Sequence, residues 1–141
     1  MARILCIDYG KKRSGIAVTD PLQIIATGLT TVDSEGLIYW LKQYVKTEEL
    51  EKVLIGYPLA LDNTATDATP LVDKFMRNFK KVFPQLAIET IDEQFTSQMA
   101  SAAMVAMGMK KKERQTKGNI DEMSATIMLQ EYLQNQSWLF T

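Results

Sequence analysis

Along this chain, short apolar runs alternate with polar turns and with longer segments whose apolar residues recur every three or four positions. Arg3 to Asp8 sets Ile4, Leu5, Cys6 and Ile7 side by side, which predicts a strand buried on both faces and closed by a carboxylate. Lys11 to Ser14 is a tight polar turn, Gly15 to Thr19 returns as a second strand, and Thr27 to Val32, rich in β-branched residues, predicts a third. Such short connections imply an antiparallel meander. Ser34 is placed to cap a helix carrying Leu37, Ile38, Leu41, Tyr44 and Val45 at helical spacing. Val53 to Tyr57 is a fourth strand, halted by Pro58, and the polar stretch from Leu59 to Ala68 is irregular. Thr69 suits an N-cap with Pro70 at the first helical position, and Leu71, Val72, Phe75, Phe79 and Val82 then line one face until Pro84 ends the helix. Ala87 to Ile91 is a fifth strand. A helix from Thr96 or Ser97 to about Met107, a Lys-rich connection from Gly108 to Gly118 and a last helix from Ile120 to Gln134 complete the pattern. The order β-β-β-α-β-α-β-α-α predicts one α/β domain over residues 1–141.

Composition narrows the chemistry. With 46% hydrophobic and 23% charged residues the chain has material for a core, and a formal net charge of −1 offers no global attraction to nucleic acid or membrane. The charge is unevenly spread. Lys110, Lys111, Lys112, Arg114 and Lys117 cluster against Glu113 alone, which leaves the rest of the chain net acidic. One cysteine, Cys6, excludes a disulfide framework and sits where a buried apolar thiol is expected. The absence of histidine removes the usual zinc ligand together with the Ser-His and Cys-His pairs. No apolar signal region opens the chain, and Met99 to Met109 is too short to span a bilayer, so a cytoplasmic protein without membrane contact is expected. Without a secretory signal, the sequon at Asn135-Gln136-Ser137 has no weight.

Three carboxylate positions fall at predicted element ends: Asp8 after strand one, Asp92-Glu93 after strand five, and Asp121 in the first turn of the last helix. Sites in α/β sheets gather at the carboxyl ends of strands, so Asp8 and Asp92-Glu93 could face one crevice. Packed carboxylates repel and become protonated unless a cation keeps them ionised. Oxygen donors without His or Cys point to Mg²⁺ or Mn²⁺. Each acid also has a plainer role: Asp8 as a turn residue, Glu93 as a solvated charge, Asp121 as a partner of a helix dipole. Gly10 to Gly15 has the glycine spacing of a phosphate loop, but Ile16 stands where its lysine belongs and the turn joins two strands. Met99, Met104, Met107 and Met109 suit helix core better than a binding surface.

The segments "IDYGKKRSGIAVTD", "VLIGYPL", "IDEQFTS" and "NIDEMSATIMLQEYL" resemble, in order and spacing, the four signature blocks of the YqgF family. Members are known as pre-16S rRNA nucleases and as Holliday-junction resolvases. The resemblance implies a ribonuclease H-like fold: a mixed five-stranded sheet, strands one to three antiparallel, with helices on both faces. It implies an acidic catalytic and metal-binding set at Asp8, Glu93 and Asp121, with Asp92 beside them, and places Arg13 at the family's first-block arginine. Two positions depart. Gln94 replaces the arginine of the fifth-strand block, which removes a bidentate guanidinium contact, and Tyr57 precedes Pro58 where a small or aliphatic residue is usual.

The expected activity is therefore Mg²⁺- or Mn²⁺-dependent phosphodiester hydrolysis on structured RNA, in maturation of the 5′ end of 16S rRNA. Arg13, Lys110, Lys111, Lys112, Arg114 and Lys117 would supply phosphate contacts. Two alternatives share these residues: a junction resolvase acting on branched DNA, and a non-catalytic RNA or ribosome-assembly binding protein. Asp8-Tyr9-Gly10 and Gly15 also resemble the phosphate loop of actin-like ATPases, which need two such domains where 141 residues supply one. A monomer or weak homodimer is expected, and the tail from Ser137 to Thr141 has no assigned role.

Overall fold

Ile4 through Ile7 are all buried because their strand, β1 (Arg3–Tyr9), is the middle one of five. In the computed structural model, which describes residues 2–57, 69–92 and 117–139, the sheet order is β3-β2-β1-β4-β5. β2 (Arg13–Thr19) pairs antiparallel with β1 and with β3 (Ala26–Asp33). β4 (Leu50–Tyr57) and β5 (Ala87–Asp92) join in parallel, so β1, β4 and β5 end on the same edge of the sheet. The expected α/β class and mixed sheet are present. Each strand runs past its apolar run because ladder pairing continues through polar residues, as in Tyr9 opposite Ser14 and Arg13 opposite Asp33.

Alternation along β1 divides the core. Leu5 and Ile7 point to one face, where they meet Leu37 and Leu41 of α1 (Leu37–Tyr44) and Val72, Phe75 and Phe79 of α2 (Thr69–Val82). Ile4 and Cys6 point to the other, against Ala125, Met128 and Leu129 of α3 (Lys117–Leu139). The sheet therefore carries helices on both faces.

Two local expectations are corrected. Ser34 does not cap a helix by hydrogen bonding; it opens a 3-10 turn (Ser34–Gly36), and its hydroxyl is spent on Ser14 Oγ at 2.8 Å and on the Gly10 carbonyl. Asp121 is not in the first turn of the last helix. α3 begins at Lys117, within what composition marked as a connection, because contacts with β2 and β3 outweigh weak local propensity there. The polar stretch 58–68 and the helix expected near 96–107 lie outside the described residues. Among the described residues no helix is long and apolar enough to cross a membrane.

Candidate active site

The same alternation that buries Cys6 against α3 sends the half-buried Asp8 side chain to the α3 face and Tyr9 to the α2 face. Tyr9 confirms the parity by lying 4.9 Å from the Phe75 ring. Directly across the ladder from Asp8 is Gly15. A Cβ at Gly15 would collide with the backbone carbonyl of Asp121, so the missing side chain is what lets α3 lie on β2. Opposed residues in an antiparallel pair share a face, so Asp8 and Asp121 approach Gly15 from the same side of the sheet. Residues 113 positions apart in sequence are thereby brought together through one glycine.

A cleft of about 320 Å³ opens beside them, lined by Gly10, Lys11, Lys12, Arg13 and Asp121. Lys11 and Lys12 are exposed, whereas Arg13 is half-buried with an Nε that is buried and has no hydrogen-bond partner among the described residues. Burying a donor in that state costs about 1–3 kcal/mol, so an acceptor entering the cleft would recover stabilisation there. Asp121 also turns a buried carboxylate oxygen, Oδ2, inward. The turn that carries the basic residues is fixed at both ends. A Cβ on Gly10 would strike the Arg13 carbonyl, and the Ser34 amide donates to the Lys12 carbonyl at 2.9 Å.

The remaining candidates stand differently. Asp92 is the last residue of β5, opposite Tyr57, and β5 lies two strand spacings from β1, about 10 Å. Glu93, Gln94, Lys110, Lys111, Lys112 and Arg114 are outside the described residues, and Lys117 is the first residue of α3. Among the described residues no three His, Cys, Asp or Glu side chains gather closely enough to hold a metal ion. Asp8 and Asp121 supply two oxygen donors of the kind Mg²⁺ accepts, and any third must come from elsewhere.

Several contributors escaped sequence reasoning. Gly15 was legible in principle, since glycine inside a strand marks a close backbone approach. Ser34 and Ser124 were not. The Ser124 hydroxyl is buried without a hydrogen-bond partner among the described residues, three positions beyond Asp121 on α3. Tyr57, the unusual residue before Pro58, donates to Asp73 Oδ1 at 2.9 Å and ties β4 to α2. That hydrogen bond, with burial and the Asp73 charge, raises the Tyr57 pKa above its ordinary value.

The sequence profile of the RuvX family, described as Holliday junction resolvase, matches residues 2–135. The chain belongs to this family. RuvX membership fits the four sequence blocks, and the five-stranded mixed sheet is consistent with the ribonuclease H-like fold of RuvX proteins. A relative from Flavobacterium psychrophilum is 54% identical over 133 residues, covering 94% of this chain and 97% of its own. Relatives from Flavobacterium johnsoniae and Bacteroides thetaiotaomicron are 49% and 48% identical, each covering 96% of this chain and 99% of theirs. All three bear the name "Putative pre-16S rRNA nuclease".

Proposed function

We propose that this protein is a divalent-metal nuclease that hydrolyses phosphodiester bonds of structured RNA during 5′-end maturation of precursor 16S rRNA. The observation that carries this reading is the approach of Asp8 and Asp121 through Gly15, beside the basic cleft of Lys11, Lys12 and Arg13. Asp8 and Asp121, with Glu93 from beyond the end of β5, would hold Mg²⁺ or Mn²⁺. When bound, the cation supplies Lewis-acid stabilisation of a phosphoryl oxygen and a more acidic water. Arg13 would grip a phosphate oxygen through its buried guanidinium edge, and Lys11 and Lys12 would hold neighbouring phosphates. The Lys110–Lys117 segment would add to these contacts. A chain without histidine has no imidazole base, so acids around a cation are its most direct route to hydrolysis.

Asp8→Asn keeps the size of the side chain and removes its charge. Cleavage of a precursor 16S rRNA fragment in Mg²⁺ is expected to fall by orders of magnitude, while the melting temperature without Mg²⁺ stays equal or rises as carboxylate repulsion disappears. The stabilisation that Mg²⁺ gives the wild type should vanish. A variant that melts lower yet cuts normally would overturn the assignment and leave Asp8 a structural turn residue. The family description favours a second substrate, the four-way DNA junction. Magnesium-dependent resolution of such a junction, with precursor rRNA left intact, would replace the RNA reading by that one.

A further inference from the structure

On the face of the sheet away from Asp8 and Asp121, a second groove of about 770 Å³ runs between α2 and the segment that begins at Ser34. Lys74, Arg77 and Lys81 of α2 line it, at spacings of three and four residues that put them on one side of the helix. All three are exposed, and none has an ion-pair partner among the described residues. Glu35 is the one acid among the described residues of the lining. The nearby Asp73 is engaged by the Tyr57 hydroxyl. In a chain of net charge −1 this is a concentration of cations, not background. Tyr9 and Phe75 add aromatic surface to the groove.

The groove and the cleft lie on either side of one turn. Tyr9 lines the groove, and the next residue, Gly10, lines the cleft. The Gly10–Lys12 turn is the ridge between them, pinned to Ser34, and carries exposed Lys11 and Lys12 along its crest. The contact of Phe75 with Tyr9 sets the Lys74 end of the stripe beside this ridge, and Lys81 lies about 10 Å further along the helix.

We infer that this groove binds a single-stranded segment of the RNA substrate, the stretch that leaves the cleft over the Gly10–Lys12 ridge. Lys74, Arg77 and Lys81 contact its phosphates, and Tyr9 offers a ring edge or face to a base. A row of cations beside aromatic surface is the combination that holds single strands. The inference rests on the RNA-nuclease reading for its substrate, but it is read out by binding alone.

The test uses the full-length protein without divalent cation, so that nothing is cut. Fluorescence anisotropy compares an RNA hairpin bearing a single-stranded tail with the same hairpin blunt-ended. Replacing Lys74, Arg77 and Lys81 together by Ala should weaken binding of the tailed RNA about tenfold or more and flatten its salt slope by about 2, the share of three phosphate contacts on a single strand. Affinity for the blunt hairpin should change far less. Replacing Lys42, Lys46 and Lys80 by Ala removes the same charge outside the groove and should leave tailed binding unaltered. Circular dichroism melting checks that both triple variants fold. Unchanged affinity and slope in the groove variant would overturn the inference, as would equal losses for tailed and blunt RNA, equal losses in the control variant, or a loss confined to a four-way DNA junction. Selective loss in a protein that cleaves no RNA when Mg²⁺ is restored would retire the nuclease and keep the groove. Intact tailed binding in a protein that does cleave would do the reverse.

Discussion

One face of the sheet is packed with bulk and the other with absence. Toward α1 and α2 the core includes Leu5, Ile7, Leu37, Leu41, Phe75 and Phe79, with the rings of Tyr9 and Phe83 packed at a tilt at its ends. Toward α3, among the described residues, it is Cys6, Ala17, Ala125 and the bare Cα of Gly15 beside Ile4, Leu54, Met128 and Leu129, with Ile91 and Tyr132 packed at the margin. Large side chains bury the most apolar area, roughly 1.5–3 kcal/mol each, but hold a helix at a distance from the strands. Small ones contribute less and let backbone meet backbone. Asp8 and Asp121 lie on the small-residue side. The difference teaches that stability and positioning are divided between the faces, with β1 contributing alternate residues to each.

That division can be broken or sharpened by substitution. Phe79 is fully buried on the bulky face, and Phe79→Ala should cost about 3–5 kcal/mol in urea unfolding. If the faces are separable, the surviving folded protein keeps the Mg²⁺-dependent rise in melting temperature proposed for the wild type; loss of that response would show that they are one unit. Gly15→Ala is expected to cost less, about 1–3 kcal/mol, as α3 shifts to relieve the collision with Asp121. Its effect on RNA cleavage should nevertheless exceed that of Phe79→Ala, measured on folded protein at one temperature. Normal cleavage by Gly15→Ala would refute the idea that close approach positions the acids. The smallest effect is expected at Ser124. Ser124→Ala removes a buried hydroxyl without a partner among the described residues, and should be neutral or stabilising by up to about 1 kcal/mol. A clear destabilisation would reveal an acceptor for that hydroxyl.

Much of the architecture was legible because burial leaves a periodic trace. Ile4-Leu5-Cys6-Ile7 announced a buried strand, the tight spacing of the first three strands announced the meander, and Val72, Phe75 and Phe79 announced the inner face of α2. Ser34 was misread because its preference as a helix cap is local, whereas its actual partners, Ser14 and Gly10, arrive only when β1 and β2 pair. The start of α3 was misread for a related reason: lysine and glycine read as a connection until a sheet is there to support the helix. Asp8 and Asp121 could be nominated from the four sequence blocks, but their approach needed the register that sets Asp8 opposite Gly15. The basic stripe on α2 was present in the sequence as Lys74, Arg77 and Lys81. It became a groove only when the segment after β3 supplied the opposite wall.

The dependence of the cleft on α3 has a consequence in time. A ribosome making this chain releases β1 through β5 first, and 113 residues separate Asp8 from Asp121. At roughly 5–20 residues per second, several seconds pass between the synthesis of the two acids. Throughout that interval Asp8 and the cationic turn are already made, yet the residue that lies against Gly15 is still missing. On the proposed nuclease reading, such a nascent chain would touch RNA before it could cut it, and the transcript and the translating ribosome would be spared until the last helix docks.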